Sequence, residues 1–312
     1  MRAGQYHQVM NPRILVGTER GLWQLRGDTL EPVDALATHD VTALACDRTG
    51  IWAVVDDRTL WATHHEDAWE VLASVDGPAA TCVARATPND LLVGTERAHL
   101  LRLQGHRLLR VESFETVEGR DDWYTPWGDP ADVRSISVSA DGALYVNVHV
   151  GGIVRSRDRG TSWTPIVDIE ADIHQVLVHP TRSAVVLAAA AAGFGISRNG
   201  GDSWEFITTG LPAHYARAVA TSGDAVLISV STGPRGRRAA LYRKPLQGVA
   251  GFERCAQLPW FDGNIDTACL AAAGPLVVFG TADGRLFRST DSGEQWELLS
   301  KRLPAVRCVT AG

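Results

Sequence analysis

An octapeptide pattern recurs three times along this chain: SRDRGTSW at residues 156–163, SRNGGDSW at 197–204 and STDSGEQW at 289–296. All three obey S-x-[DN]-x-G-x-x-W, and a degraded fourth copy occupies residues 62–69. A motif that returns at wide spacing confines a chain to architectures built from a repeated unit. Its local logic is that of a turn: the Asp or Asn side chain bonds nearby backbone amides, Gly takes a positive φ, and Trp buries its ring close by. Each copy lies between two strand-like runs, so it reads as the hairpin joining the third and fourth strands of a four-stranded unit.

Upstream of the copies lie stretches such as ALYVNVHVGG and LVVFGTADG. Their aliphatic runs close on a Gly pair or on Asp-Gly, as a strand entering a hairpin does. Seven further runs, VTALA, ATCVA, VRSIS, IHQVL, ARAVA, IDTAC and VRCVT, begin at Val41, Ala80, Val133, Ile173, Ala216, Ile265 and Val306. At intervals of 39 to 53 residues they predict the innermost strands of seven blades. The segment RILVGTERGLWQLRG near the N-terminus supplies a second and a third strand without a first, while the seventh run stands at the C-terminal end. One blade is therefore expected to be shared by the two termini, which hides the edges a linear stack would expose. The expected fold is all-β, a seven-bladed β-propeller of four-stranded blades forming a single domain over residues 1–312. Two insertions interrupt it: residues 113–132, rich in Gly, Pro and aromatics and expected to form an ordered lid, and STGPRGRRAA between strands of the sixth blade.

The S-x-[DN]-x-G-x-x-W copies resemble the Asp-box, or BNR repeat, of sialidases and related propellers, which include sortilin-like sorting receptors and photosystem assembly factors. The resemblance implies that the innermost strands start at one face, the top, around a central channel. It also implies that inter-blade loops and second-to-third-strand hairpins open there, with the motif turns on the outer part of the opposite face. The second residues of the seven runs, Thr42, Thr81, Arg134, His174, Arg217, Asp266 and Arg307, would then ring the channel mouth. His149 ends a second strand beside them, and Trp123, Tyr124, Trp127, Tyr215, Trp260 and Phe261 lie in neighbouring loops. Three arginines and a histidine against one aspartate describe an electropositive funnel for a small molecule bearing a carboxylate, a phosphate or a sugar acid. Arg134, Arg217, Arg307 and the six aromatics are the expected binding residues; His149, His174 and Asp266 are the expected proton-transfer groups. Sialidases hold a substrate carboxylate with arginines but have six blades, so their catalytic residues do not transfer to this chain. Acids such as Glu19, Glu96 and Asp283 are the competing partners for these arginines.

A net charge of −6, a pI near 5.9 and the absence of any Lys/Arg block argue against a nucleic-acid partner. No apolar run approaches the roughly 20 residues of a membrane helix, and the first residues lack a secretory apolar core, so a cytoplasmic protein with no membrane partner is expected. The five cysteines show no CxxC pairing and read as reduced, packed thiols. No GxGxxG, GxSxG or P-loop occurs in a suitable context. No cofactor is expected; a metal, if held, would use His149 and His174 with Asp266 or His214, since no HxH or HExxH spacing exists. The function these features favour is binding and hydrolase- or lyase-like conversion of a small anionic molecule. The alternative is a non-enzymatic scaffold that binds proteins through a broad surface.

Overall fold

The second strand of each unit is apolar at nearly every position rather than at every other one, and its surroundings explain this. Ile14–Thr18, Gly50–Val55, Leu144–Val148, Val186–Ala190, Ala225–Ser231 and Leu276–Gly280 are buried along their whole lengths. A strand covered by neighbouring sheets on both faces has no solvent side toward which to alternate. The outermost strands, such as Thr29–Pro32 and Glu205–Ile207, are largely exposed.

A computed structural model describes residues 13–64, 68–88 and 90–312. It shows seven four-stranded antiparallel sheets. Their inner strands are Val41–Asp47, Ala80–Thr87, Val133–Val138, Ile173–Val178, Tyr215–Ser222, Leu270–Ala273 and Val306–Ala311. Each touches the next, and the last packs against the first. The chain is thus a seven-bladed β-propeller. Val306–Ala311 pairs with Ile14–Thr18, and Gly21–Arg26 and Thr29–Pro32 complete that sheet, so the termini share blade one. The other blades are numbered two to seven in chain order. No helix among the described residues is long and apolar enough to cross a membrane.

Blades close on one another through a small residue near the end of the second strand. Gly17, Gly94 and Gly280 face Val41, Val133 and Val306 of the following blades so closely that a Cβ would overlap them. Blades four and six use a polar residue at the same place. Asn147 Nδ2 donates to the Ile173 carbonyl and Ser229 Oγ to the Ile265 carbonyl, each at 2.8 Å.

The three motif turns join third to fourth strands as their sequence context predicts, for instance Gly152–Ser156 to Thr164–Val167. Ser156 Oγ accepts from Gly160 N (2.7 Å) and donates to Asp158 Oδ1 (2.8 Å), which also accepts from Ser162 N (2.8 Å). Ser289, Gly293, Asp291 and Gln295 repeat this geometry, as do Ser197, Gly201, Asn199 and Ser203. The glycines stand at φ +87°, +85° and +94° respectively, where a Cβ is strained. The degraded copy at 62–69 lies partly outside the described residues.

One inner strand departs from expectation. The run at Ile265 does not enter the sheet until Leu270, because Cys269 N turns back to the Asp266 carbonyl (2.9 Å) and Ala268 takes φ +64°. Thr267 Oγ1 donates to the carbonyls of both His174 and Arg217 at 3.1 Å. Residues 266–268 therefore bow out of blade seven into the channel.

Candidate functional site

The channel mouth is built at the face where inner strands begin. There, in five of the seven blades, the residue after the second strand donates its N–H to the residue just before an inner strand: Asp56 to Asp40, Glu96 to Ala79, His149 to Asp132, Ala191 to Asp172 and Glu19 to Ala305, at 2.8–3.0 Å. This pairing fixes a second ring above the aligned one. It holds Asp40, Asp132 and Asp172, three carboxylates that the reading of the second column passed over.

At the seam of blades four and five, His149, Asp172 and His174 converge. Asp172 Oδ1 lies 3.4 Å from His149 Nε2 and 3.6 Å from His174 Nε2, the latter an electrostatic contact too long for a hydrogen bond. His149 and His174 are 2% and 0% exposed. The Nδ1 of His174 meets the Ala216 carbonyl, which can only accept, so this nitrogen carries the proton. The other ring nitrogen, Nε2, faces Asp172, and neither Nε2 nor Asp172 Oδ1 has a hydrogen-bond partner. Burial, aided by the nearby Arg134 charge, pushes the His149 imidazole down to about 4, so it is neutral at pH 7. Burial pushes the Asp172 carboxyl up, but His174, His149 and Arg134 outweigh it and hold the group below the usual range. Trp127 covers His149 at 5.1 Å between ring centroids, and Tyr215 covers His174 at 4.7 Å.

The structure separates the three expected proton-transfer residues. His149 and His174 come together, whereas Asp266 sits on the bowed segment, half exposed and paired with Arg217 at 3.2 Å. The third group of the histidine cluster is Asp172, neither Asp266 nor the exposed His214.

The arginines divide as well. Burial, and then the neighbouring Arg217, lower the Arg134 pKa, and Arg134 has no ion-pair partner among the described residues. Arg217 stacks on Tyr215, 5.4 Å from its ring centre, while pairing with Asp266. Arg307 turns to Asp40, at 3.2 Å, and is 46% exposed. Arg134 and Asp266 line a cavity of ≈ 280 Å³ with Thr42, Thr81, Glu96 and Asp132. Burial raises the Asp132 carboxyl, which accepts from Arg97 N at 3.3 Å. The mouth is accordingly mixed in charge rather than an electropositive funnel, because the carboxylates between the strand starts and hairpins balance the arginines.

The aromatic residues also part company. Phe261 is a core residue, 1% exposed and set edge-on to Phe279 and Phe287; it offers no face to a ligand. Trp123 packs on Phe114 with Arg120 over its ring. Trp127, Tyr124 and Trp260 are 64%, 40% and 42% exposed, Trp260 between Arg238 and Arg254. The 113–132 insertion is anchored by Phe114, fully buried against Trp163, and its far end brings Trp127 over His149.

No protein-family model and no curated protein matches the sequence. Among solved structures, the chain is similar to an ancestral GH74 enzyme (TM-score 0.62, 13% identity, 87% of this chain and 38% of that one). It is also similar to YCF48 bound to a D1 peptide (0.60, 14%, 91% and 88%). A third likeness is to the GH74 xyloglucanase of Xanthomonas campestris (0.59, 17%, 83% and 45%). At such identities the likeness shows the fold alone, and the chain spans less than half the length of either GH74 protein.

Proposed function

We propose that the channel mouth binds a small hydroxylated acid, such as a sugar acid, and that the protein acts on it in a hydrolase- or lyase-like reaction. The observation that carries this reading is Arg134, a half-buried guanidinium in a cavity wall with no carboxylate in ion-pair range among the described residues. A partly desolvated guanidinium with no direct ion pair has its fork free, and a bound carboxylate or phosphate can fill it through a bidentate contact. The acids that line the same cavity, Glu96, Asp132 and Asp266, suit hydroxyl groups of the same ligand. A volume of ≈ 280 Å³, at the low end for ligand sites, restricts the ligand to a small one. Asp266 is the proton-transfer candidate that reaches the cavity; His149 stands behind Trp127 and His174 behind Tyr215. The repeated Ser-Asp/Asn-Gly turns support membership of the Asp-box (BNR) propellers, and the GH74 neighbours are enzymes, one of them a xyloglucanase.

The test is calorimetric titration of sugar acids, hydroxy acids and matching neutral sugars. Acids should bind and neutral sugars should not; Arg134→Ala should weaken binding ten- to a hundredfold, the worth of a charged hydrogen bond of about 1.5–3 kcal/mol. Arg134→Lys should restore part of it. Equal binding of neutral sugars, or an unaffected Arg134→Ala variant, sinks the proposal. Protein scaffolding is the second reading, favoured by the exposed Trp127, Tyr124 and Trp260 and by a neighbour whose structure holds a peptide. It predicts that Trp127→Ala and Trp260→Ala abolish capture of a partner protein while Arg134→Ala does not.

A further inference from the structure

We propose that His149, Asp172 and His174 form a binding site for a divalent transition metal, Zn2+ by its donor set, at the seam of blades four and five. The proposal stands on geometry and on unsatisfied groups, independently of the anion-binding reading. Their ligand atoms all lie within 4.8 Å of one another, with the Asp172 oxygen 3.4 and 3.6 Å from the two histidine nitrogens. A tetrahedral zinc with bonds of about 2.0–2.1 Å holds its donor atoms about 3.3–3.5 Å apart. Two edges of the triangle, 3.4 and 3.6 Å, lie at or near this spacing, and the third is within 4.8 Å.

The unsatisfied groups make the stronger case. His174 Nε2 lies on a fully buried ring and is aimed at a buried carboxylate oxygen of Asp172, and neither atom has a hydrogen-bond partner. Two polar atoms facing each other out of water without a hydrogen bond are costly, and a cation bound between them would satisfy both. The Ala216 carbonyl on His174 Nδ1 is the outer contact that metal-bound histidines commonly have, because it fixes the tautomer and aims Nε2. Asp172 is aimed too: its backbone is left-handed (φ +44°), and its carbonyl accepts from Ala191 N at 3.0 Å.

Two imidazoles and one carboxylate leave a fourth position free, the arrangement of a catalytic rather than a structural zinc. Trp127 and Tyr215 pack against the two imidazole rings. The cations facing the cluster, Arg134 and Arg217, oppose a metal ion electrostatically, so micromolar rather than picomolar affinity is expected. They also favour an anionic fourth ligand.

The test uses the full chain after treatment with a chelator. Zn2+ is titrated by calorimetry, and Co2+ by visible absorption, which is intense only for low-coordinate sites. One ion per chain at micromolar affinity is expected, with the spectrum of a four-coordinate site. Asp172→Asn keeps the shape of the cluster and should weaken binding at least tenfold, as should His149→Ala. His214→Ala, on an exposed histidine nearby, should leave binding unchanged, which separates the site from surface capture. X-ray absorption of the Zn2+-loaded wild type should show two imidazole nitrogens and an oxygen shell, a measurement that does not depend on any variant folding. No saturable binding at micromolar metal, an unchanged Asp172→Asn variant, or an absorption spectrum without two imidazoles would overturn the proposal.

Discussion

Ser156, Ser197 and Ser289, at the face where third strands end, each accept from a glycine N–H and donate to an Asp or Asn two residues on. At the face where inner strands begin, equivalent positions hold Thr42, Thr81, Arg134, His174, Arg217, Asp266 and Arg307, and no two of them make the same contacts. Thr81 donates to the Val133 carbonyl, whereas the buried Thr42 hydroxyl has no partner. Arg217 pairs with Asp266, Arg307 with Asp40, and Arg134 with neither. One face thus uses its repeat to close turns, with the Ser, Asp or Asn and Gly of each turn bonded inside the same eight residues. The other uses its repeat only to bring strand ends together, and leaves the side chains free to differ.

The largest expected effect comes from removing the strand that both faces depend on. Val306, Cys308 and Val309 are 1–5% exposed, and burying each valine side chain contributes about 1.5–3 kcal/mol. A chain ending at Leu303 loses these contacts and the hydrogen bonds to Ile14–Thr18. Its melting temperature should fall by on the order of 10 °C or more, if it folds at all. Unchanged melting of this truncation would mean that ring closure does not hold the faces in place.

The turns come next. Ser156→Ala, Ser197→Ala and Ser289→Ala each strand a buried glycine N–H and remove a buried hydroxyl, so each should cost about 1–3 kcal/mol by denaturant unfolding. Because the three geometries match, the losses should agree within about 1 kcal/mol. The upper face should show no such agreement: Thr81→Val should cost about 1 kcal/mol, while Thr42→Val, which removes an unpartnered hydroxyl, should be neutral or stabilising. Three unequal Ser→Ala losses would break the contrast between a repeating and a non-repeating face.

The same contrast decides what was legible in the sequence. The motif turns were readable because donor, acceptor and glycine lie within one octapeptide. Six inner strands could be placed to within a residue because each must present apolar side chains to its neighbours. The seventh was misplaced because IDTAC has the same apolar pattern, and only the Thr267 hydroxyl, bonded to carbonyls of blades five and six, shows that this segment bows into the channel. At the mouth, aligning the second column found Arg134, Arg217 and His174 but not Asp172. The signal was one column earlier, where Asp40, Asp132 and Asp172 precede Val41, Val133 and Ile173. Pairing is harder to read than placement: nothing in the sequence says that Arg307 is neutralised by Asp40 or that Phe261 faces inward rather than toward the mouth.

A smaller effect tests whether the turns are equivalent in chemistry as well as in shape. Hydrogen bonds from the Ser162 hydroxyl and amide, and from Ser156, hold the Asp158 carboxyl down at about 2. A carboxylate lowered in the folded state stabilises it above the unfolded pKa of about 3.9, and that contribution is lost as pH falls toward 2. Asn199 makes the same turn without a titrating group, its Nδ2 donating to Ser203 Oγ where Asp158 accepts from Ser162 Oγ. A hydroxyl serves in either direction. Asp158→Asn and Asp291→Asn should therefore melt close to wild type at pH 7 and lose less stability between pH 4 and pH 2. If the Asn variants lost stability in acid as steeply as wild type, the titrating groups would lie elsewhere.

The smallest expected effect is at Arg307. Its place in the repeat makes it the counterpart of Arg134 and Arg217, and on that ground alone it would contribute to anion binding as they do. Its guanidinium instead meets Asp40 through two contacts of 3.2 and 3.3 Å, with 46% of the side chain exposed. Solvent screens a pair that open, so the contact is worth at most about 1 kcal/mol, and the charge it would offer a ligand is already balanced. Arg307→Ala should change stability by less than about 1 kcal/mol and leave the affinity for the acid that Arg134 binds within about threefold, less than 1 kcal/mol by the usual conversion. Asp40→Asn frees the guanidinium while keeping the loop, and should leave the affinity unchanged or raise it slightly. If Arg307→Ala instead weakened binding as much as Arg134→Ala, position in the repeat would predict function at the mouth as well as it predicts geometry in the turns, and the distinction between the two faces would fail.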